Sequence, residues 1–99
     1  MPFALTFEVG QLNTEDVTVS CGDRSFIIDH SSFYGLDAQD VVIIDTHRQK
    51  VFLKREDGGD SLRLYNFAIK GDLFHIPLGR NFLNVSKEPK KLEYHYLYI

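Results

Sequence analysis

Apolar and polar residues alternate along most of this chain, and the alternation recurs from one end to the other. Successive side chains of a β-strand point to opposite faces, so alternation with a period of two predicts strands that bury one face. Turn-forming pairs such as Gly22-Asp23 separate these segments. The predicted buried faces consist of Phe3, Leu5, Phe7 and Val9, of Val17, Val19 and Cys21, of Phe26 and Ile28, and of Val51 and Leu53.

Three segments depart from simple alternation. The run Val41–Ile44 is apolar throughout, which predicts a strand buried on both faces or a strand that passes from one sheet to another. The segment Ser61–Lys70 fits a single helical turn as well as an alternating strand. Leu73–Ile76 is predicted to be a short strand that ends at Pro77, because proline cannot donate to a sheet ladder.

The last predicted strand has a tyrosine-rich face and a more polar face. Glu93 and His95 belong to the polar face, which favours packing of the tyrosines against the core. The alternative is an exposed platform, since an aromatic ring with a polar tip suits contact with a sugar ring or a partner protein. The candidate contact residues on this face are Tyr94, Tyr96 and Tyr98.

The composition is that of an ordinary globular domain, with 99 residues, of which 43% are hydrophobic and 25% are charged. This length predicts a single domain that spans residues 1–99. Short strands between turn signals, without long helical patterns, predict an all-β antiparallel sandwich with at most one short helical turn.

Charge and cysteine content exclude several classes of protein. A net charge of -3 lacks the excess of lysine and arginine that non-specific nucleic-acid binding requires, so no nucleic-acid partner is predicted. Cys21 is the one cysteine, and its place on an alternating apolar face predicts a buried, inert thiol. Neither a secretory signal nor an apolar run of ~20 residues is present, which predicts a soluble protein made in the host cytoplasm without membrane insertion.

The residue types that carry catalysis or bind metals are present without the spacing that either role needs. His30, His47, His75 and His95 lack partners at the spacings of metal sites. Asp29-His30-Ser31 resembles part of a catalytic triad, but adjacent strand residues point to opposite faces and no nucleophile elbow is present. The acidic tract Glu56–Asp60 is interpreted as a hairpin turn, because it lacks the ligand spacing of a calcium loop. The sequence therefore predicts no enzyme, no catalytic or metal site and no cofactor.

From Asp40 onward, the order of features resembles a known family. An apolar strand ends in Ile44-Asp45-Thr46, and a hairpin returns at Val51. The segment Gly71–Asn81 follows and contains Pro77, Gly79 and Asn81 in a Pro-x-Gly-x-Asn pattern, after which an aromatic strand closes the chain. This order is similar to the C-terminal domain of the distal tail protein of long, non-contractile phage tails.

The resemblance implies a fold, a location and a class of partner. The fold is a galectin-like or jelly-roll-like β-sandwich, in which Pro77, Gly79 and Asn81 form a structural turn motif. The implied role is a non-enzymatic module of the virion tail tip, in the baseplate region, which docks other tail proteins or receptor-binding proteins during host attachment. Self-association is a further expectation. The ring-forming N-terminal domain of that family does not fit in 99 residues, so the chain is either a lone relative or one domain of a longer protein.

A second function also fits a sandwich of this kind. The alternative is a free-standing carbohydrate-binding module that recognises a glycan of the cell surface through exposed aromatic residues. Folds of this type host both roles, so the fold class does not separate them. The absence of tryptophan from the sequence makes the carbohydrate role the second choice.

Overall fold

The computed structural model describes residues 1–57, 62–77 and 82–94, and these residues form two antiparallel sheets. The five-stranded sheet has the order β6-β5-β4-β1-β9, and the four-stranded sheet has the order β7-β3-β2-β8. The prediction of an all-β antiparallel sandwich is confirmed. The strands are β1 Phe3–Glu8, β2 Val17–Cys21, β3 Arg24–Ile28, β4 Val41–Asp45, β5 Lys50–Lys54, β6 Leu62–Leu64, β7 Ile69–Gly71, β8 Asn84–Val85 and β9 Lys91–Tyr94.

The core lies between the two sheets and is built from the predicted alternating faces. Phe3 from the five-stranded sheet and Phe26 from the four-stranded sheet both contact Phe74, at ring-centroid distances of 5.6 and 5.5 Å. Phe74 therefore joins the two layers. Cys21 is 1% exposed, as the alternation predicts. The other fully buried side chains include Leu5, Phe7, Val17, Val19, Ile28, Val42, Ile44 and Val51.

Thr46 is a buried polar residue that fixes the end of β4 against the start of β1. Its hydroxyl donates to the carbonyl of Phe3 at 2.8 Å and accepts the N–H of Phe3 at 2.8 Å. Asp45 stabilises the turn that follows, since its carboxylate accepts the backbone N–H groups of His47 and Arg48. The Ile44-Asp45-Thr46 motif is thus a corner whose buried polar groups are all paired.

The segment Leu73–Ile76 is not a strand of either sheet, so that prediction is wrong. The strand of this region is β7, which precedes it and ends at Gly71 with φ 98°, a left-handed conformation that interrupts an extended path. Phe74 and Ile76 are nevertheless buried, and the N–H of Ile76 donates to the carbonyl of Met1. The alternation there reflects burial beside the sheets and not sheet pairing.

Short helical turns lie between several strands. α1 spans Val9–Leu12 and begins where alternation predicts that the first strand continues, although Val9 stays buried. The N–H of Glu8 donates to the side chain of Gln11, which closes this turn. One 3-10 turn spans His30–Phe33, and another spans Asn66–Ala68 within the segment for which a helical turn is predicted.

The apolar run Val41–Ile44 is buried on one face only. Val42 and Ile44 are fully buried in the core, while Val41 and Ile43 lie on the outer side of the five-stranded sheet and are partly exposed. The prediction of burial on both faces, or of a crossing between sheets, is therefore wrong. Glu56 and Asp57 lie in a turn as predicted, and the rest of that acidic tract is outside the described residues.

Candidate interaction surface

The outer face of the five-stranded sheet carries apolar side chains where a solvated sheet face is normally polar. Residues directly opposite each other on paired strands share a face. Ile43 pairs with Phe52, and Phe52 pairs with Leu64. Val41 and Leu62 lie in the adjacent row. The alternate residues of β4 and β5 fill the core, which places both rows outside. We call these five apolar residues the outer patch.

Exposure of the outer patch increases toward the edge of the sheet. Val41, Ile43 and Phe52 are partly buried, whereas Leu62 and Leu64 are 58% and 59% exposed. A single exposed leucine is ordinary. A contiguous apolar surface that ends at a sheet edge is typical of an interaction site, because both its side chains and its backbone can bind.

One cationic side chain stands between two residues of the outer patch, and another lies on the opposite face of β6. Lys54 lies opposite Leu62 on the outer face, and Arg63 lies opposite Leu53 on the other face of β6. Both are exposed, and neither forms an ion pair within residues 1–57, 62–77 and 82–94. The nearby Arg55 does pair with Asp57, at 3.0 Å. Among the described residues, Lys54 and Arg63 are thus exposed cationic groups without an ion pair.

His30 lies beside two carboxylates in a cluster with Asp16 and Asp29. Ligand atoms of the three side chains lie within 4.8 Å of one another, which is compatible with a metal site. Asp16 accepts both the Nδ1 and the backbone N–H of His30, however, and Asp29 accepts the hydroxyls of Ser31 and Ser32. Asp29 also accepts the backbone N–H of Ser31 as the N-cap of the 3-10 turn at His30–Phe33, so the cluster has a structural role.

The same hydrogen bonds shift the acidity of the two carboxyl groups. The side-chain hydrogen bond from His30 lowers the pKa of Asp16 below its ordinary value of 3.8, and the backbone N–H of His30 adds to the effect. The hydroxyl of Ser31 is the main cause of a lowered pKa of Asp29. Both carboxylates are therefore held in the ionised form that caps the turn.

His75 and His47, the other histidines that the structure describes, form hydrogen bonds with nearby residues. His75 lies 3.1 Å from the carbonyl of Thr46, through its Nε2. His47 lies in the β4–β5 turn, where its backbone N–H donates to Asp45. Within the part of the chain that the structure describes, one group of three titratable side chains has ligand atoms in reach of one another, and it contains His30.

The residues predicted as sites from the sequence are only partly described. Pro77 is exposed and follows the buried Ile76, while Gly79 and Asn81 lie outside the described residues, so the turn motif stays a prediction. Tyr94 lies opposite Phe3, on the inner side of β9, and is 43% exposed at the sheet edge. Tyr96 and Tyr98 lie outside the described residues.

Two surface depressions share Gly71, Asp72 and Leu73 in their walls. Gln49 and Asn66 contribute to one of them, and its lining is mostly polar. Asn66 bonds to the backbone at the start of β5 and just before it, since its side chain accepts the N–H of Val51 and donates to the carbonyl of Gln49. In the residues described here, no helix combines the length and the apolar character needed to cross a membrane.

Comparison with protein families, curated proteins and solved structures finds no match to this chain. The candidate surface is therefore defined by geometry alone. Leu62, Leu64, Lys54 and Arg63 are not predicted as contact residues from the sequence. The available signal is the apolar run Val41–Ile44, whose two outer residues have no covering layer in the described structure.

Proposed function

We propose that the chain is a non-enzymatic interaction module of a phage tail tip, which docks another tail protein or a receptor-binding protein near the host surface. The observation that carries this proposal is the apolar surface that runs from Ile43 across Phe52 to Leu64 and ends at a sheet edge. Burial of apolar area is the main favourable term in most protein association. The resemblance from Asp40 onward supplies the phage tail as the setting.

The motifs behind the resemblance have structural roles, which supports a scaffold in preference to a catalyst. Thr46 ties β4 to β1, and Phe74 joins the two sheets through Phe3 and Phe26. His30 bonds to a turn-capping carboxylate, and His75 bonds to a backbone carbonyl. A site of general acid–base catalysis instead needs its titratable groups directed at a substrate position.

The test of the proposed function is to locate the chain on virus particles. An antibody raised against the purified domain should label one end of the tail in electron micrographs of particles from the source virus, or of particles induced from the source bacterium. Label at one tail end supports the proposal. Particles that carry no label, while the same antibody detects the chain free in the lysate, would refute the tail location.

One observation favours the carbohydrate-binding alternative. Tyr34 is 62% exposed, and its ring meets His30 edge-on at 5.6 Å between centroids. An exposed aromatic ring beside polar groups is a surface on which a sugar can stack. Calorimetric titration with host cell-wall polysaccharide should detect saturable binding that Tyr34→Ala abolishes and Phe67→Ala, another exposed aromatic position, retains. Failure of the wild-type chain to bind would remove this alternative.

A further inference from the structure

β6 is an open edge whose hydrogen-bonding groups can be assigned. It pairs with β5 alone, and among the residues that the structure describes no strand lies on its other side. The N–H of Tyr65 donates to the carbonyl of Val51 at 2.8 Å. In an antiparallel pair, successive residues direct their backbone groups alternately toward and away from the partner strand. The backbone of Arg63 therefore faces β5, and the N–H and C=O groups of Leu62 and Leu64 face outward.

The same two residues also carry the most exposed side chains of the outer patch. Leu62 and Leu64 combine outward-facing backbone groups with exposures of 58% and 59%. A strand added here would pair with them through its backbone. Its alternate side chains would continue the apolar row formed by Phe52 and Ile43. The side chain of Arg63 points to the other face of this edge strand.

Charge decides which occupant fits this edge. Arg63 lacks an acidic partner among the described residues, so an added strand that directs acidic residues to the Arg63 face gains an opposite-charge contact. A second copy fits poorly. The register that matches Leu62 with Leu64 of the other copy also places Arg63 opposite its own counterpart, and like charges directly opposite destabilise a sheet. Arg63 thus disfavours pairing of two copies of this chain through β6.

We propose that β6 receives an extended segment of a partner protein in which apolar residues alternate with acidic residues. This inference rests on the proposed function, since it names the chemistry of the partner that docks at the outer patch. The apolar side chains of the segment extend the outer patch beyond Leu62 and Leu64. Its acidic side chains lie beside Arg63 on the opposite face, and its backbone completes the hydrogen bonds of the edge.

The probe is a short blocked peptide of alternating valine and aspartate, and the control probe replaces each aspartate with lysine. Titration into the ¹⁵N-labelled domain should give saturable shifts at the backbone amides of Leu62 and Leu64 with the acidic peptide. Methylation of the peptide backbone nitrogens that face β6 should abolish these shifts. Arg63→Glu should weaken the acidic peptide at least about threefold and strengthen the lysine peptide, as reversal of an exposed charge pair predicts.

A matched control lies on the opposite edge of the same sheet. Lys91→Glu changes the charge equally on β9, and we expect it to leave the affinity of the acidic peptide unchanged. Equal binding of both peptides, or shifts confined to β9, would overturn the proposal. So would the absence of shifts at Leu62 and Leu64 at millimolar peptide. Loss of antibody label from the phage tail would instead refute the proposed function, whatever the peptides do.

Discussion

The two faces of the five-stranded sheet are built from the same strands and differ in what covers them. On the inner face, Val42 and Ile44 are fully buried against the opposite sheet. On the outer face, their neighbours Val41 and Ile43 have similar apolar character but are only partly buried. The inner face therefore explains how the chain folds. The apolar residues on the outer face do not belong to that core, so a role in binding a partner would explain them.

The largest effect should come from removing a side chain that joins the two sheets. Phe74→Ala deletes a ring that is 4% exposed and contacts both Phe3 and Phe26. We expect a loss of about 3–5 kcal/mol in the free energy of unfolding, because such a deletion leaves a cavity. Phe67→Ala, at a ring that is 68% exposed, is the control and should cost much less. Equal losses in urea denaturation would contradict the contrast between covered and uncovered positions.

The next largest loss of stability should come from the hydrogen bonds of Thr46, which join the end of β4 to the start of β1. Thr46→Val removes the hydroxyl that bonds both the N–H and the carbonyl of Phe3. The buried N–H of Phe3 loses its acceptor, whereas the carbonyl of Phe3 keeps the backbone N–H of Thr46, so we expect the free energy of unfolding to fall by about 1–3 kcal/mol. Thr46→Ser keeps the hydroxyl and should recover most of that loss. Equal free energies of unfolding for Thr46→Val and Thr46→Ser in chemical denaturation would show that these hydrogen bonds do not stabilise the corner.

A smaller change in the free energy of unfolding should accompany a fall in pH. The pKa values of Asp16 and Asp29 are lowered in the folded state, so the folded chain binds fewer protons than the unfolded chain near pH 3.8. Their contribution is fully present above the unfolded pKa and is lost as the pH falls through the lower folded pKa. Asp16→Asn should therefore flatten the fall in stability below about pH 4, as measured by urea denaturation across pH. If Asp16→Asn lost stability at low pH as steeply as the wild type, the hydrogen bonds between Asp16 and His30 would not contribute to stability.

The smallest effect on stability should come from the outer patch. Leu64→Thr changes a side chain that is 59% exposed and introduces a β-branched residue, which a strand accommodates well. We expect a change within about 0.5 kcal/mol in the free energy of unfolding, as for other surface substitutions. The same variant should weaken binding of the alternating acidic peptide. A large loss of stability would instead make Leu64 part of the core and remove its value as a binding residue.

The sequence predicts the inner face well because burial there follows local alternation. Val17, Val19 and Cys21 are all buried as their spacing predicts. Alternation does not say whether a segment pairs with a neighbour, which explains why Leu73–Ile76 is buried without joining a sheet. The pairing of β6 with the preceding strand β5 agrees with the hairpin turn predicted at Glu56–Asp60. Whether a further strand lies beyond β6 depends on where distant strands lie in the sheet, and no local pattern in Leu62–Leu64 encodes that.

The site was less predictable than the fold for a related physical reason. An apolar residue on an uncovered face looks, in sequence, like one on a covered face, as Val41–Ile44 illustrates. The role proposed for Arg63 depends on its position in an edge strand, which the sequence does not reveal. Local structure was also unpredictable where side chains replace backbone bonds, as where Asn66 pairs with β5 at the end of β6.

The most direct test of the central claim is incorporation of chain variants into phage particles. Leu64→Lys places a charge in the outer patch, and Tyr34→Lys makes the same change at a residue of similar exposure on a separate loop. Antibody labelling of tails assembled with each chain should show that Leu64→Lys is lost from the tail end while Tyr34→Lys is retained. Retention of a folded Leu64→Lys chain at the level of wild type would contradict docking through the outer patch.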